Sequence, residues 1–236
     1  MSYKNRFLTS LAFAIVLWSC NEEPKSNFVL KGQISGLKKG VVYLQKDGDS
    51  SIITLDSMEV KGQPEFLLQT NLEEPRVLYL KLFKNDGEEN YVPFFADKGE
   101  MYLTSSLDNF SFEATITGSK QQEILDEYLD MMANFNNANL DLIQETFLAQ
   151  KDKDSIKVDS LQVQSDRLFK RKYAYTINFA LLHKDSEVAP YLAMYEIPNT
   201  NIRYIDSIYN NLENPIKNSF YGKQLKTALD AAVADQ

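Results

Sequence analysis

The residue types that carry most covalent and metal chemistry are scarce in this chain. Its 236 residues include one cysteine, Cys20, and one histidine, His183. A single thiol excludes an intrachain disulfide, a CxxC redox pair and a thiolate zinc cluster, and with one imidazole it leaves no Cys-His catalysis. His183, in Leu182-His183-Lys184-Asp185, falls at a predicted helix end, where a hydrogen-bonding side chain suits the unpaired carbonyls. No nucleophile motif accompanies it. Asp126, Glu127 and Asp130 form the densest acidic cluster, and Asp126 and Asp130 lie one helical turn apart, the spacing of a shared metal. No histidine joins them, and carboxylates are favoured early in a helix in any case, so a solvated face is expected. Asp47-Gly48-Asp49-Ser50-Ser51 lacks the twelve-residue spacing and closing Glu of a calcium loop and reads as a turn. Arg167, Lys170, Arg171 and Lys172 are the one strongly basic run; on a helix they spread around the cylinder and balance an acidic surface. Gly32 and Gly36 have small-xxx-small spacing in a strand context, which excludes helix pairing. No GxGxxG, Walker loop, GxSxG or HExxH is present. No catalytic residue, cofactor or metal ligand is assigned, and the expected function is non-enzymatic.

Overall charge narrows the partners. Lys and Arg number 25 against 33 Asp and Glu, a formal charge of −8, which repels phosphate backbones and argues against nucleic acid. The amino end carries Lys4 and Arg6, then the apolar run Phe7 to Trp18. Twelve helical residues reach about 18 Å against a hydrocarbon core of roughly 30 Å, so a secretory signal is expected rather than a membrane span. The run ends in Leu17-Trp18-Ser19-Cys20, which resembles the lipobox of bacterial lipoproteins. The resemblance implies cleavage after Ser19, a diacylglyceryl group on the Cys20 sulfur and acylation of the new amino group. Residues 1–19 are thus the expected signal and 20–27 a polar tether, with a lipid anchor in the cell envelope at the outer membrane. Asn21-Glu22-Glu23 loosely resembles the surface-export signal of Bacteroidetes lipoproteins, so either face of that membrane stays open.

Two periodicities divide the remainder. From Phe28 to Thr117 the period is two: short apolar and aromatic runs recur about every ten residues. They are Phe28–Ile34, Val41–Leu44, Ile52–Val60, Phe66–Leu68, Val77–Phe83, Tyr91–Phe95, Met101–Leu103 and Phe110–Ile116. Turn signals such as Asp47-Gly48, Lys61-Gly62, Asn85-Asp86-Gly87 and Asp97-Lys98-Gly99 separate them. The pattern predicts an antiparallel meander closed as a sandwich or barrel-like domain over 28–117, with Pro93 on an edge or at a bulge. Some of the 13 tyrosines are expected on a binding face.

From residue 118 to 236 the period is 3.6, so the fold class is α+β, with a helical region after the β domain. Ser119 is the expected N-cap with Gln122 as capping-box partner, opening a long helix that breaks in the Asn-rich stretch Asn134–Asn139. A second helix is expected over Ser155–His183 with Leu161, Leu168, Tyr175, Phe179 and Leu182 as its packing stripe. Shorter helices follow over Val188–Ile197, Ile202–Leu212 and Ile216–Val233.

Several stretches in this order resemble a known region. They are Phe28-Val29-Leu30-Lys31-Gly32-Gln33-Ile34-Ser35-Gly36-Leu37, Gly40-Val41-Val42-Tyr43-Leu44, Leu55-Asp56-Ser57, Glu74-Pro75-Arg76, Ile116-Thr117-Gly118-Ser119, Val188-Ala189-Pro190-Tyr191 and Asn218 to Leu225. Together they resemble the DUF4369-type accessory region that precedes the thioredoxin-like domain in Bacteroidetes thiol-disulfide lipoproteins. Gly62-Gln63-Pro64-Glu65-Phe66 is longer than the usual Gly-x-Phe and predicts a local bulge. The resemblance implies an envelope setting and a partner that is itself thioredoxin-like. It does not carry oxidoreductase activity across, because the thiolates are missing. The expectation is a lipid-anchored binding module working through a strand edge or loop rim of the β domain. The alternative is an accessory subunit acting in trans with an oxidoreductase that supplies the CxxC.

Overall fold

Alternation of inward apolar and outward polar residues builds eight strands. They are β1 (Phe28–Ser35), β2 (Lys39–Asp47), β3 (Ile52–Lys61), β4 (Glu65–Thr70), β5 (Arg76–Phe83), β6 (Asn90–Ala96), β7 (Gly99–Ser106) and β8 (Thr115–Thr117). The computed structural model describes residues 26–84 and 86–234. The expected signal, Cys20 and most of the tether lie outside the described residues. The strands form two four-stranded sheets, ordered β4-β1-β7-β8 and β3-β2-β5-β6. Phe28, Leu30, Ile34, Leu44, Leu68, Leu80, Phe94, Met101 and Leu103 fill the space between them and are buried.

This is a sandwich, but the meander is corrected in three places. First, β1 runs parallel to β7, with Phe28 opposite Gly99 and Ser35 opposite Ser106, so one pairing is not antiparallel. Second, only Thr115–Thr117 of the expected last strand is extended. Phe110 sits in the preceding turn, where it plugs the core and its carbonyl accepts a 2.7 Å hydrogen bond from Ser105 Oγ. Third, the Lys61-Gly62 signal is a corner between the two sheets, not a hairpin within one. Gly62 takes a φ of +100°, favoured for glycine. The extra residues after it form the corner rather than a bulge, and the β1–β4 register is regular from Phe66 opposite Gly32.

The sheets are not closed into a barrel, and side chains span the open seam. Asp56 Oδ2 accepts from Gln69 N at 2.7 Å, and Met58 Sδ from Leu67 N at 3.4 Å. The outward amides of β4 are thereby occupied from β3. The edge of β6 is covered as well. Pro93, on that edge strand as expected, has no amide to leave unpaired. Ser111 Oγ donates to Tyr91 O (2.9 Å), and Gln122 Oε1 accepts from Phe95 N (2.6 Å).

Helices follow as α1 (Lys120–Lys151), α2 (Ser155–Leu182), α3 (Val188–Tyr195), α4 (Ile202–Asn211), α5 (Asn214–Lys217) and α6 (Phe220–Ala234). Ser119 caps α1 as expected, its Oγ accepting from Gln122 N at 3.2 Å. Gln122 does not complete a capping box, since its own oxygen goes to β6. α1 runs unbroken through Asn134–Asn139: packing against α2 outweighs the modest helix propensity of Asn. In α2, Leu161 and Phe179 are buried, but Leu182 is 78% exposed, and Ala180 takes its expected inward place. The last predicted helix is two pieces. Ser219 interrupts it, its Oγ lying 2.7 Å from Ile216 O and accepting from Gly222 N (3.3 Å).

The helices pack on the outer face of one end of the second sheet. Val77 and Phe95 point away from the sandwich core into a second cluster with Ile124, Tyr128, Phe179, Val188, Leu192 and Tyr221. That explains the apolar run around Val77-Leu78-Tyr79-Leu80: this end of β5 is covered on both faces.

Candidate functional site

The candidate residues split widely. Asp126, on α1, accepts from Gln122 Nε2 at 2.7 Å. Partial burial pushes its carboxyl above the usual range, with Asp130 and Glu123 adding to the rise and the Gln122 bond opposing it. Among the described residues no group of three His, Cys, Asp or Glu side chains is placed to hold a metal ion. Asp47-Gly48-Asp49-Ser50-Ser51 is the link of the β2–β3 hairpin, closed by Gly48 N donating to Ser51 O at 3.0 Å. His183 caps α2, its amide donating to Phe179 O and its ring lying 4.3 Å from the Phe179 ring. Among the described residues Arg167, Lys170, Arg171 and Lys172 make no ion pair.

The structure instead gathers tyrosines. Beyond the helix-covered end, the outer face of the second sheet stays open, and register lines its side chains in rows. Tyr43 pairs with Lys81, which pairs with Tyr91; one row nearer the helices, Gln45 pairs with Tyr79, which pairs with Pro93. Val42, Leu44, Leu80 and Val92 point into the core, so these alternate residues must point out. Lys81 Nζ meets Glu89 Oε1 at 2.6 Å and lies 5.1 Å from the Tyr91 ring centroid. The Tyr91 hydroxyl donates to Glu89 Oε2 at 3.0 Å, and the Tyr79 hydroxyl to Asp47 Oδ2 at 2.8 Å. These bonds hold the aromatic rings in fixed orientations.

Helix α3 supplies an adjoining aromatic wall. The Tyr191 and Tyr195 rings meet at 4.8 Å, tilted by 39°, and Tyr191 meets Phe95 and Tyr221 at 5.6 and 5.4 Å. Tyr195 remains 54% exposed. The Tyr221 hydroxyl accepts from Val77 N at 3.0 Å and ties α6 to β5. Burial raises the Tyr79 and Tyr221 hydroxyls above their ordinary range, and at Tyr79 the Asp47 contact raises it further. Both stay protonated donors near neutrality. Nearby, Arg76 stacks on Phe220 at 4.5 Å and lines a cavity of about 140 Å³ with Lys46, Asn71 and Glu74. Arg76 Nε and, on α6, Gln224 Oε1 are buried without a hydrogen-bond partner among the described residues.

One acidic side chain is buried beneath this junction. Glu187 is 4% exposed; its Oε2 accepts from Ser219 Oγ at 2.7 Å. Burial raises its carboxyl to about 7, with Glu74 and Asp97 adding to the rise and the Ser219 bond opposing it. A glutamate at a helix start is unremarkable in sequence, so no local signal marked it. The tyrosine rows left a trace: Tyr43, Tyr79 and Tyr91 are out of phase with the inward apolar set.

Rings, amides and hydroxyls on a braced sheet can stack on and hydrogen-bond a partner. Among the described residues no helix is long and apolar enough to cross a membrane. No curated protein matches the chain. Residues 28–125, comprising the whole sandwich and the first residues of α1, match the family model described as Domain of unknown function (DUF4369), and this segment of the chain is a DUF4369 domain.

Proposed function

We propose that the protein is a lipid-anchored, non-enzymatic binding module of the cell envelope, attached to the outer membrane through Cys20. Its contact surface is the row Tyr43, Lys81 and Tyr91 beside Tyr195. The observation that carries this reading is the half-buried tyrosine face, on which the Tyr79 and Tyr91 hydroxyls are held by Asp47 and Glu89, so that these two rings lose little freedom on binding. The covered edges of β4 and β6 favour this face over a strand edge. The anchor rests on Leu17-Trp18-Ser19-Cys20 alone.

A second reading keeps the surface and names the partner as an envelope thiol-disulfide oxidoreductase that supplies the CxxC. It is favoured by the resemblance of the chain to the accessory region of such proteins and by the DUF4369 match.

Cross-linking in the native host, detergent extraction and mass spectrometry test both. Cys20→Ala should release the protein from membranes, and a membrane-bound Cys20→Ala protein would refute the anchor. Tyr43→Ala with Tyr195→Ala should abolish enrichment of the specific partner while leaving the anchor intact. A recurrent thioredoxin-like partner selects the second reading, and unchanged enrichment in the double variant removes the tyrosine face.

A further inference from the structure

The cavity of about 140 Å³ beside Phe220 is lined by both signs of charge, Lys46 and Arg76 with Glu73 and Glu74. Among the described residues none of the four makes an ion pair, with one another or elsewhere. Lys46, Arg76 and Glu74 are half-buried and Glu73 is exposed, so the inner charges have given up part of their hydration without a counter-charge. Separate segments hold the four apart. Lys46 lies near the end of β2, Arg76 opens β5, and Glu73 and Glu74 stand in the link before it. Local contacts then fix the inner groups. Glu74 Oε2 accepts from Phe220 N at 2.7 Å, and the Arg76 guanidinium lies over the Phe220 ring. Arg76 Nη2 reaches the Asp47 carbonyl only at 3.5 Å, and its Nε has no partner. The Asp47 carboxylate is itself taken by the Tyr79 hydroxyl.

We infer that this cavity binds a free α-amino acid as its zwitterion, the carboxylate held by Arg76 and Lys46 and the ammonium by Glu73. A planar guanidinium with unspent donors suits a carboxylate. An anion alone would leave Glu73 and Glu74 beside a further negative charge, and a cation alone would do the same to Lys46 and Arg76. A ligand carrying both signs keeps the balance of two cations and two carboxylates. Size narrows the class: at about 30 Å³ per water molecule the cavity has room for about five such volumes, which glycine or alanine fills. The site is separate from the row Tyr43, Lys81 and Tyr91, so its failure would leave that contact surface standing.

Isothermal titration calorimetry on the full chain in non-ionic detergent micelles tests this with three probes. Alanine should bind at one molecule per chain. Propionate, which is alanine without its ammonium, and ethylamine, which is alanine without its carboxylate, should each bind at least about tenfold more weakly. Arg76 also supports Phe220, so the variants are Lys46→Gln and Glu73→Gln. Each should keep the circular dichroism melt of the wild type and weaken alanine by about tenfold. No binding of alanine, propionate or ethylamine binding as tightly as alanine, or an unchanged alanine affinity in either variant would each overturn the inference.

Discussion

Replacing Glu187 by glutamine should change how stability depends on pH. The carboxylate is buried beside Ser219, with Glu74 and Asp97 as its charged neighbours, and its folded value is about 7 against a usual 4.5. Because the folded value lies above the unfolded one, the folded state holds the proton more tightly. Below about 4.5 both states are protonated and nothing is lost. Between about 4.5 and about 7 the unfolded chain ionises first, so stability falls as pH rises. Above about 7 both are ionised and the loss is complete. At about 1.4 kcal/mol per pH unit the loss totals about 3 kcal/mol. Glu187→Gln keeps the shape and an oxygen for Ser219 while removing the charge. Urea unfolding of both proteins, followed by circular dichroism from pH 4.5 to 8.5, gives the difference directly, because the other carboxylates titrate in each. The variant's advantage should grow by about 3 kcal/mol across that range. A difference that stays constant with pH would refute the assignment of a destabilising buried charge to Glu187.

Two further substitutions test the junction between sheet and helices. Tyr221→Phe leaves Val77 N buried without its acceptor and should cost about 1–3 kcal/mol in urea unfolding; a loss below about 0.5 kcal/mol would mean the amide finds another partner. Gly222→Ala would put a Cβ 1.9 Å from the Ile216 carbonyl oxygen. It should therefore force α6 away from α5 and lower the melting temperature by several degrees, about 1–3 kcal/mol, whereas an unchanged melt would show that α5 yields freely.

What could be read in the sequence followed from local periodicity, and what could not followed from distance or from competition between neighbours. The strands from Phe28 to Leu103 were legible because short apolar and aromatic runs recur about every ten residues between turn signals. Their distribution over two sheets was not, because the β1–β7 pairing joins residues about seventy positions apart and leaves no local mark. The break at Ser219 had a signal, an N-cap residue three positions before Gly222, but Pro215 offered a competing helix start nearby. Gln122 illustrates the limit of motif spacing. It stands at the capping-box position after Ser119, yet a β6 amide lies within its reach and takes its oxygen. The acidic cluster on α1 was legible as a helix face, whereas the surroundings that raise the Glu187 carboxyl include Ser219, Glu74 and Asp97, which come from three separate segments.

The parallel pairing of β1 also orders events during synthesis. β1 is an inner strand, with β4 on one side and β7 on the other. When the first strand leaves the ribosome, neither neighbour exists yet. The β4 side can be satisfied once residue 70 has emerged, but the β7 ladder must wait for residue 106. Until then the buried face of Phe28, Leu30 and Ile34 has only half its sheet. The chain must close that long loop before the contact repays its entropy. A nascent chain halted before residue 99 would therefore be protease-sensitive at its amino end, and one halted after α1 begins would resist.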